Sequence, residues 1–392
     1  MEKDFIVKWR ISLIIGGGFV IVFLLFLISA LIVNETNINL AQFSVAQVAK
    51  SIIVNQEIPL VPEPVVREKS TTHIVKGIYL TASSANNLQK MNEMIDLIDK
   101  TELNAVVIDI KDYTGYILYD SQVPEVKKFE TKRIVMKDVS ALINKLHEKN
   151  IYVIARQTVF QDPILAQRQP DWAIKNKQGG VWHDYKGLSW VDGTRQEIWD
   201  YNIAIAKEAI MLGFDEVNFD YVRFPTDGNT SLAVMPSSSA RSVVMKDFFN
   251  YLSNGLKDEP AYISLDFFGF VMERHDGMAI GQKLEDAVDV VDYISPMMYP
   301  SHYPNGHLGL ENPAANPGPV IDNGMKLGVP YFENKRALVR PWLQAFNIGA
   351  VYGEKNIRAQ IDMVEKYPNA GWLLWNAVNR YGVAGLKLND IE

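Results

Sequence analysis

The chain has 392 residues, 48% of them hydrophobic, a net charge of -7 and no cysteine. This length and apolar content suit one large α/β barrel or two ordinary domains, and the missing cysteine excludes disulfides, thiolate metal sites and a cysteine nucleophile. The acidic balance, without a long basic run, argues against a nucleic-acid partner.

The first predicted element is a membrane span. Residues 11–33 form an almost unbroken apolar run, long enough to cross the lipid bilayer as a helix. Basic residues precede the run, and none follows it before Lys50. Because basic flanks stay in the cytoplasm, we expect residues 1–10 there, a single-pass anchor in the cell membrane and an extracytoplasmic remainder. The alternative is a cleaved signal peptide, since Ile28-Ser29-Ala30 resembles a cleavage site, although the run exceeds the about 7–15 apolar residues usual in signal peptides.

A stalk and one large domain are predicted after the membrane span. Residues 34–72 are polar and irregular and contain Pro59, Pro62 and Pro64, which is typical of a flexible linker. From residue 73 onwards the pattern changes to strands that alternate with helices. We therefore treat residues 73–392 as a single domain.

Short β-rich runs recur through this domain. They are Lys76–Ala82, Ala105–Asp112, Ile151–Thr158, Asp215–Tyr221, Tyr262–Gly269, Asp292–Pro300, Val339–Asn347 and Gly371–Ala377. Helices are predicted at Leu88–Lys100, Asp138–Lys149, Arg195–Leu212, Ala240–Asn254, Gly281–Val291, Pro319–Leu327 and Asn356–Tyr367. Repeated βα units without hairpins indicate an α/β fold of the (β/α)8 TIM-barrel type. The rival, a doubly wound open sheet, would normally carry a glycine-rich loop after its first strand, and Thr81–Asn86 has none.

The fourth predicted strand carries the first candidate for catalysis. Val217 and Phe219 share one face of it, and Asn218 and Asp220 share the other. In a barrel the apolar face packs against the helices, and the polar face points towards the C-terminal mouth, where such barrels hold their active sites. Asp220 is therefore a candidate catalytic carboxylate, with Arg223 just beyond it. The plainer interpretation is an Asp that caps the following loop.

Polar side chains also end the other predicted strands. Asp109 and Lys111 share a face of the second strand, followed by Asp112, and they form either an internal ion pair or a substrate contact. The remaining candidates are Arg156 after the third strand, Asp266 in the fifth, Tyr299 and His302 at the sixth, and Trp375 and Asn376 at the eighth. Because strand ends of a barrel meet at one mouth, we expect these side chains around one cavity.

This set of residues suits hydrolysis at a glycosidic carbon, which uses one ionised and one protonated carboxyl group. The positive charges of Arg223 and Arg156 favour the ionised form of Asp220, as a nucleophile or cation stabiliser needs. Asp266 stands between apolar residues, where desolvation raises the pKa, as a general acid needs. Asp109 is the reserve acid. An alternative role for Asp266, as a hydrogen-bonding residue behind the site and not as the acid itself, stays open.

Other chemistries have less support. The histidines show no His-x-x-x-His or His-Glu-x-x-His spacing, so the sequence predicts no metal site, and it predicts no cofactor. A serine hydrolase is disfavoured because Gly-x-Ser-x-Gly is absent. Two alternatives remain: a non-catalytic glycan-binding or scaffold barrel, and a metal-assisted polysaccharide deacetylase.

Four strings carry a family resemblance: VVIDIKDYTG at 106–115, FDEVNFDYVRFP at 214–225, SLDFFGF at 264–270 and YISPMMYPSHY at 293–303. They resemble a bacterial glycoside-hydrolase family, formerly a domain of unknown function, with a TIM-barrel fold. The resemblance covers about residues 73–378, and the fourth-strand motif looks distantly like that of chitinase-like and α-amylase-like barrels. It implies glycoside hydrolysis and supports Asp220. The chitinase-like pattern places a Glu shortly after this Asp, whereas Tyr221-Val222-Arg223 stands here, so the partner acid is not implied.

The sequence thus predicts a membrane-anchored, extracytoplasmic hydrolase of cell-surface or matrix polysaccharide. Its polysaccharide or oligosaccharide substrate is expected to meet the following side chains: Lys111, Asp112, Arg156, Arg223, Tyr299, His302, Trp375 and Asn376.

Overall fold

A computed structural model describes residues 68–71 and 74–389 of the chain. The predicted cytoplasmic segment, the predicted membrane span at residues 11–33 and most of the predicted stalk lie outside these described residues. Within residues 68–71 and 74–389, no helix is long and apolar enough to cross a membrane. Part of the predicted linker contacts the domain, since the Tyr262 hydroxyl donates to the carbonyl of Ser70 at 2.9 Å.

The described strands form one sheet. They are β1 (Val75–Leu80), β2 (Ala105–Lys111), β3 (Ile117–Tyr119), β4 (Lys132–Met136), β5 (Tyr152–Thr158), β6 (Glu216–Asp220), β7 (Tyr262–Phe268), β8 (Tyr293–Met297), β9 (Leu338–Val339), β10 (Trp342–Gln344) and β11 (Gly371–Trp375). Parallel pairing runs β1-β2-β5-β6-β7-β8-β10-β11 and returns from β11 to β1. The sheet is therefore a closed barrel of eight parallel strands, and the predicted (β/α)8 barrel is confirmed. β9 continues the seventh position alongside β8, and β3 and β4 form a side excursion after β2.

Helices fill the connections between the strands. They are α1 (Ala82–Asn86), α2 (Leu88–Lys100), α3 (Pro124–Phe129), α4 (Val139–His147), α5 (Pro163–Arg168), α6 (Gln196–Leu212), α7 (Ser238–Leu256), α8 (Pro317–Gly328) and α9 (Glu354–Val364). In α2, Met91, Ile95 and Ile98 recur at helical spacing and are buried in the core. The Asn87 side chain caps the first turn by accepting from Lys90 N. An apolar face and a polar cap together explain why this run is helical.

The predicted helix at Gly281–Val291 is wrong. The structure has only a 3-10 turn there, Leu284–Asp286. Gly281 has a φ of 92°, outside the helical range, and the buried Gln282 side chain donates to the carbonyl of Asp266 at 3.2 Å. The segment is thus bonded to the β7 strand instead of coiling on itself.

Closure of the barrel depends on a glycine at the start of β11. Gly371 has a φ of 95°, and a Cβ there would stand 2.0 Å from the carbonyl oxygen of Val75. A side chain would both strain the backbone and prevent β11 from approaching β1. The close pairing of the last strand with the first therefore requires glycine.

The alternation predicted for β6 is confirmed. Val217 and Phe219 are buried in the hydrophobic core that includes helix side chains. Glu216 and Asn218 point into the barrel, where Glu216 forms an ion pair with Arg340 and both side chains are 0% exposed. The barrel interior therefore combines this ion pair with an apolar cluster that includes Val107, Ile154 and Leu373, and polar side chains continue on the same face of β6 towards the mouth.

Candidate active site

A cavity of about 480 Å³ opens at the C-terminal ends of the barrel strands. It is lined by Arg156, Asp220, Tyr221, Arg223, Asp266, Phe268, Gly269, Phe270, Met297, Tyr299, His302, Tyr303, Trp342 and Trp375. The cavity is where TIM barrels hold their active sites, and its volume is typical of small-molecule sites. The predicted residues that it brings together are Asp220, Asp266, Arg156, Arg223, Tyr299, His302 and Trp375.

Arg156 of β5 connects the carboxyl groups of the neighbouring strands. Its Nη2 bonds to Asp220 Oδ2, its Nη1 lies 2.6 Å from Asp109 Oδ1, and its Nε lies 3.9 Å from Asp266 Oδ2. The guanidinium also stands 4.9 Å from the ring centroid of Trp375. The three acids come from β2, β6 and β7, so the order of strands in the barrel places them around one cation.

Asp220 is held as an acceptor at both oxygens. Arg156 binds Oδ2, and the backbone N–H of Tyr221 donates to Oδ1 at 2.6 Å. Tyr221 has a φ of 54°, a left-handed conformation that costs a non-glycine residue about 1–3 kcal/mol. This turn directs the amide of Tyr221 back at the carboxylate, and such strain is concentrated at functional sites. Arg156 compensates the negative charge of Asp220 inside the protein.

Asp266 has a different environment. It is 1% exposed, and its Oδ1 accepts from Asn218 Nδ2 at 2.9 Å and from Trp342 Nε1 at 2.7 Å. Oδ2 accepts no hydrogen bond from the described residues. Burial, reinforced by the negative charge of Asp220, raises the pKa of Asp266 well above its usual value. With Oδ1 occupied by two donors, the proton of the neutral acid belongs on Oδ2.

Aromatic and imidazole groups complete the wall. Burial raises the pKa of Tyr299 well above its usual value, so its hydroxyl stays a donor. Burial lowers the pKa of His302, which favours the neutral ring, and this ring lies edge-on to Tyr299 at 5.2 Å. Trp375 stacks on Tyr79 at 3.8 Å between ring centroids. These contacts fix the rings in the wall of the cavity.

Lys111 lies outside the cavity, contrary to its predicted place beside Asp109. The register of β2 shifts between these two residues, which turns Lys111 towards α6. Its Nζ is 2.7 Å from Asp162 Oδ2 and donates to Asn202 Oδ1 at 3.2 Å. The predicted shared face is therefore wrong, and Lys111 forms a buried ion pair on the outer side of the barrel.

Asp109 and Asp112 are likewise absent from the residues that line the cavity. Asp109 accepts from the Tyr79 hydroxyl at 2.5 Å and from Arg156, and burial raises its pKa although Arg156 opposes this. Asp112 accepts from the backbone N–H of Thr114 at 2.9 Å and caps the loop after β2. These contacts place Asp109 as a partner of Arg156 and Asp112 as a loop residue.

A second groove of about 730 Å³ adjoins the cavity and shares Tyr299, His302 and Trp375 with it. The rest of its lining is Ala345, Phe346, Asn347, Ile348, Tyr352, Asn376, Ala377, Val378 and Arg380. The predicted residue Asn376 is in this groove, where its Nδ2 donates to the carbonyl of Ala345 at 2.7 Å. The cavity and the groove are therefore contiguous through the three shared residues.

Trp342 and Tyr303 are site residues that the sequence analysis did not single out. Trp342 donates to Asp266 from β10, and Tyr303 lines the cavity with a buried hydroxyl that lacks a partner among the described residues. The aromatic enrichment of the seventh predicted strand was the available signal for Trp342. Its inward direction was not readable, because Arg340 and Pro341 interrupt that strand between β9 and β10.

A family model matches most of the domain. Residues 77–381 match the family DUF4015, described as "putative glycosyl hydrolase domain". The chain belongs to this family. The family resemblance read from the sequence is thereby confirmed, and with it the assignment of the domain to the glycosidase class. A search of curated proteins found no match.

Solved structures similar to this family member include a hypothetical protein from Ruminiclostridium thermocellum ATCC 27405, with 33% identity and a TM-score of 0.45 over 48% of this chain and 96% of that one. The PgaB (BpsB) glycoside hydrolase domain from Bordetella bronchiseptica has 11% identity and a TM-score of 0.57 over 77% of this chain and 94% of that one. Eubacterium rectale Amy13B has 10% identity and a TM-score of 0.51 over 79% of this chain and 67% of that one. The last two show a shared barrel fold.

Proposed function

We propose that the chain cleaves O-glycosyl bonds, with Asp220 as nucleophile or cation stabiliser and Asp266 as general acid. One observation carries this proposal: two carboxyl groups of opposite character line a single cavity from neighbouring strands. Asp220 has its charge compensated by Arg156, whereas burial raises the pKa of Asp266. Glycoside hydrolysis needs such a pair.

The proposed reaction begins with a sugar ring whose anomeric carbon faces Asp220. The Oδ2 proton of Asp266 passes to the glycosidic oxygen as the bond between that oxygen and the anomeric carbon breaks. Asp220 stabilises the positive charge on the sugar or bonds to the anomeric carbon. A water molecule then gives its proton to ionised Asp266 and its oxygen to the sugar, which restores both carboxyl groups.

The surrounding side chains support this role. Arg156 holds Asp220 in one orientation, and the phenol of Tyr299 supplies a donor in the same cavity. The half-buried ring of Trp375 lines the cavity and offers aromatic surface on which a sugar can stack, whereas Trp342 is fully buried and acts through its hydrogen bond to Asp266. Because the second groove continues from Tyr299 and Trp375, we assign the enzyme an oligosaccharide or polysaccharide substrate instead of a single sugar.

The location is part of the proposal. The apolar run at residues 11–33 and the basic residues before it support a single-pass anchor with the barrel outside the cytoplasm. A barrel held there meets cell-surface or matrix polysaccharide. Protease added to intact cells should then degrade the barrel and spare a cytoplasmic reporter, and protection of the barrel until lysis would contradict this topology.

The direct test is a glycan panel. The full-length chain should release reducing ends from at least one cell-surface or matrix polysaccharide, and the Asp220→Asn variant, folded by circular dichroism, should not. The non-catalytic alternative predicts glycan binding without release by either protein. The deacetylase alternative predicts acetate release, and within residues 68–71 and 74–389 no group of three His, Cys, Asp or Glu side chains is placed to hold its metal ion. Full activity of Asp220→Asn would overturn the assignment of Asp220.

A further inference from the structure

Arg223 is a buried cation without an anionic partner. Its side chain is 6% exposed, and its one hydrogen bond within the described residues is from Nη1 to the carbonyl of Phe224 at 3.1 Å. Arg156 and Arg340, the other buried arginines of the described chain, each bond to carboxylates. Arg223 forms no such ion pair with the described residues. A buried charge left in this state is costly, so its placement calls for an explanation.

Three aromatic rings hold the guanidinium in place. It lies 4.6 Å from the ring centroid of Phe268, 4.9 Å from that of Trp190 and 5.4 Å from that of Tyr221. Aromatic faces attract a cation, but they do not neutralise it. Burial lowers the pKa of Arg223, although Asp220, Asp227 and Asp184 attract its charge from a distance. The three rings thus surround the guanidinium of Arg223 without supplying an anion that would neutralise its charge.

The guanidinium lines the same cavity as the two candidate catalytic acids. Asp220 is the acid of this pair nearest in sequence, but its Oδ2 is already engaged by Arg156. The remaining N–H groups of Arg223 have no partner among the described residues. A ligand in the cavity is therefore positioned to accept hydrogen bonds from these N–H groups.

A second donor without a partner borders the same region. Tyr303 lines the cavity, and its buried hydroxyl lacks a hydrogen-bond partner among the described residues. A Cβ on Gly269 would lie 3.0 Å from this hydroxyl, and Gly269 directly follows Phe268, on which Arg223 packs. Burial raises the pKa of Tyr303, so the hydroxyl remains protonated. Two residues that line the cavity, Arg223 and Tyr303, thus carry donor groups without a partner among the described residues.

We propose that Arg223 binds an oxyanion carried by the glycan, so that the substrate is an acidic saccharide. Carboxylate, phosphate and sulfate groups all accept two parallel hydrogen bonds from a guanidinium, and such charge-assisted pairs are strong when water is excluded. This inference rests on the proposed glycosidase function and adds the substrate class. A neutral glycan would leave the Arg223 charge buried and uncompensated in the complex.

The test compares sugars that differ in the anionic group. The full-length chain is titrated with D-glucuronic acid, glucose 6-phosphate and glucose, with Trp fluorescence as the readout because Trp190 contacts Arg223. We expect at least one of the two anions to bind about tenfold more tightly than glucose, as one charge-assisted pair would give. The arm that binds identifies carboxylate or phosphate as the source. Equal affinity for all three sugars, or no binding by any, would overturn the inference.

Variants locate the effect at Arg223. Arg223→Gln should lose the preference for the anion, and Arg223→Lys should keep part of it because the charge remains. Arg168→Gln, on an exposed arginine of α5 that pairs with Glu130, is the matched control and should bind like the unaltered chain. An anion preference that persists in folded Arg223→Gln contradicts the proposal. If Arg223→Gln does not fold, the affinities of the unaltered chain and of Arg223→Lys for the three sugars still test the proposal.

The two proposals fail in different ways. Hydrolysis of neutral polysaccharide without any anion preference would leave the glycosidase function standing and remove the role of Arg223. Preferential anion binding that depends on Arg223, without glycan cleavage, would support the role of Arg223 and contradict the glycosidase function.

Discussion

Arg156 and Asp220 form a buried ion pair across neighbouring strands β5 and β6. The same guanidinium reaches Asp109 but stays 3.9 Å from Asp266. Arg156 therefore distinguishes the two carboxyl groups of the cavity, because it bonds directly to Asp220 and not to Asp266, whose pKa is raised by burial and by the charge of Asp220.

Asp266→Asn should slow hydrolysis of a polysaccharide by about 10²–10⁴-fold, the contribution of one general acid. The loss should be much smaller on an aryl glycoside with a dinitrophenol leaving group, which departs without being protonated. Initial rates on both substrates provide the measurement. Asp220→Asn is the comparison, since it should lose both activities, and equal losses on both substrates in Asp266→Asn would rule out the acid role.

The pH profile should have an alkaline limb set by Asp266. Burial raises its pKa, and the acid works only when protonated, so kcat/KM should fall as the pH rises through that value. The stability effect has the same direction. Because the folded pKa lies above the unfolded one, stability from protonated Asp266 is present at low pH and is lost as pH rises through the folded pKa. Denaturant titrations at several pH values should show this decline in the unaltered chain and a smaller one in Asp266→Asn, where the raised pKa of Asp109 still contributes.

Hydrolysis should retain the anomeric configuration. Phe219 of β6 pairs with Leu265 of β7, and Asp220 and Asp266 are the next residues of these strands. Neighbouring strands lie about 4.8 Å apart, which agrees with the about 5–5.5 Å between the carboxyl groups of retaining enzymes and not with the about 6.5–9.5 Å of inverting ones. Proton NMR of the first product formed is the check. A product of inverted configuration would show that water, and not Asp220, attacks the sugar.

Arg340→Met should destabilise the barrel by about 3–5 kcal/mol, because it leaves the buried Glu216 without its cation. The double substitution Glu216→Met and Arg340→Met should recover most of this loss, since no unpaired charge remains. Chemical denaturation measures both. Lys335→Met, which breaks an exposed pair with Asp289, should cost about 1 kcal/mol or less. An equally stable Arg340→Met variant would contradict the buried pair.

Much of the fold could be predicted from the sequence because the local residue pattern agrees with the position of each strand in the barrel. The apolar runs of β2 and β5 stand at the predicted places, and the alternation in β6 gave the inward direction of Asp220 correctly. The environment of Asp266 was also predicted in direction, since its apolar neighbours do accompany burial. These features depend on residues next to each other in the chain.

The remainder depends on contacts that adjacent residues do not encode. Alternation places Lys111 beside Asp109, but the irregularity in β2 turns it to the outer side. The stretch at Gly281–Val291 is apolar and polar in the right proportion for a helix, yet Gln282 bonds to the loop after β6 and to strand β7. The isolation of Arg223 is visible only when every neighbouring carboxylate has been located in three dimensions.

The buried pair of Glu216 and Arg340 has one further consequence. As these opposite charges cancel at the base of the barrel, they contribute little to the electric field at its mouth. Substitutions at the mouth of the barrel can therefore alter ligand selectivity without disturbing the ion pair at its base.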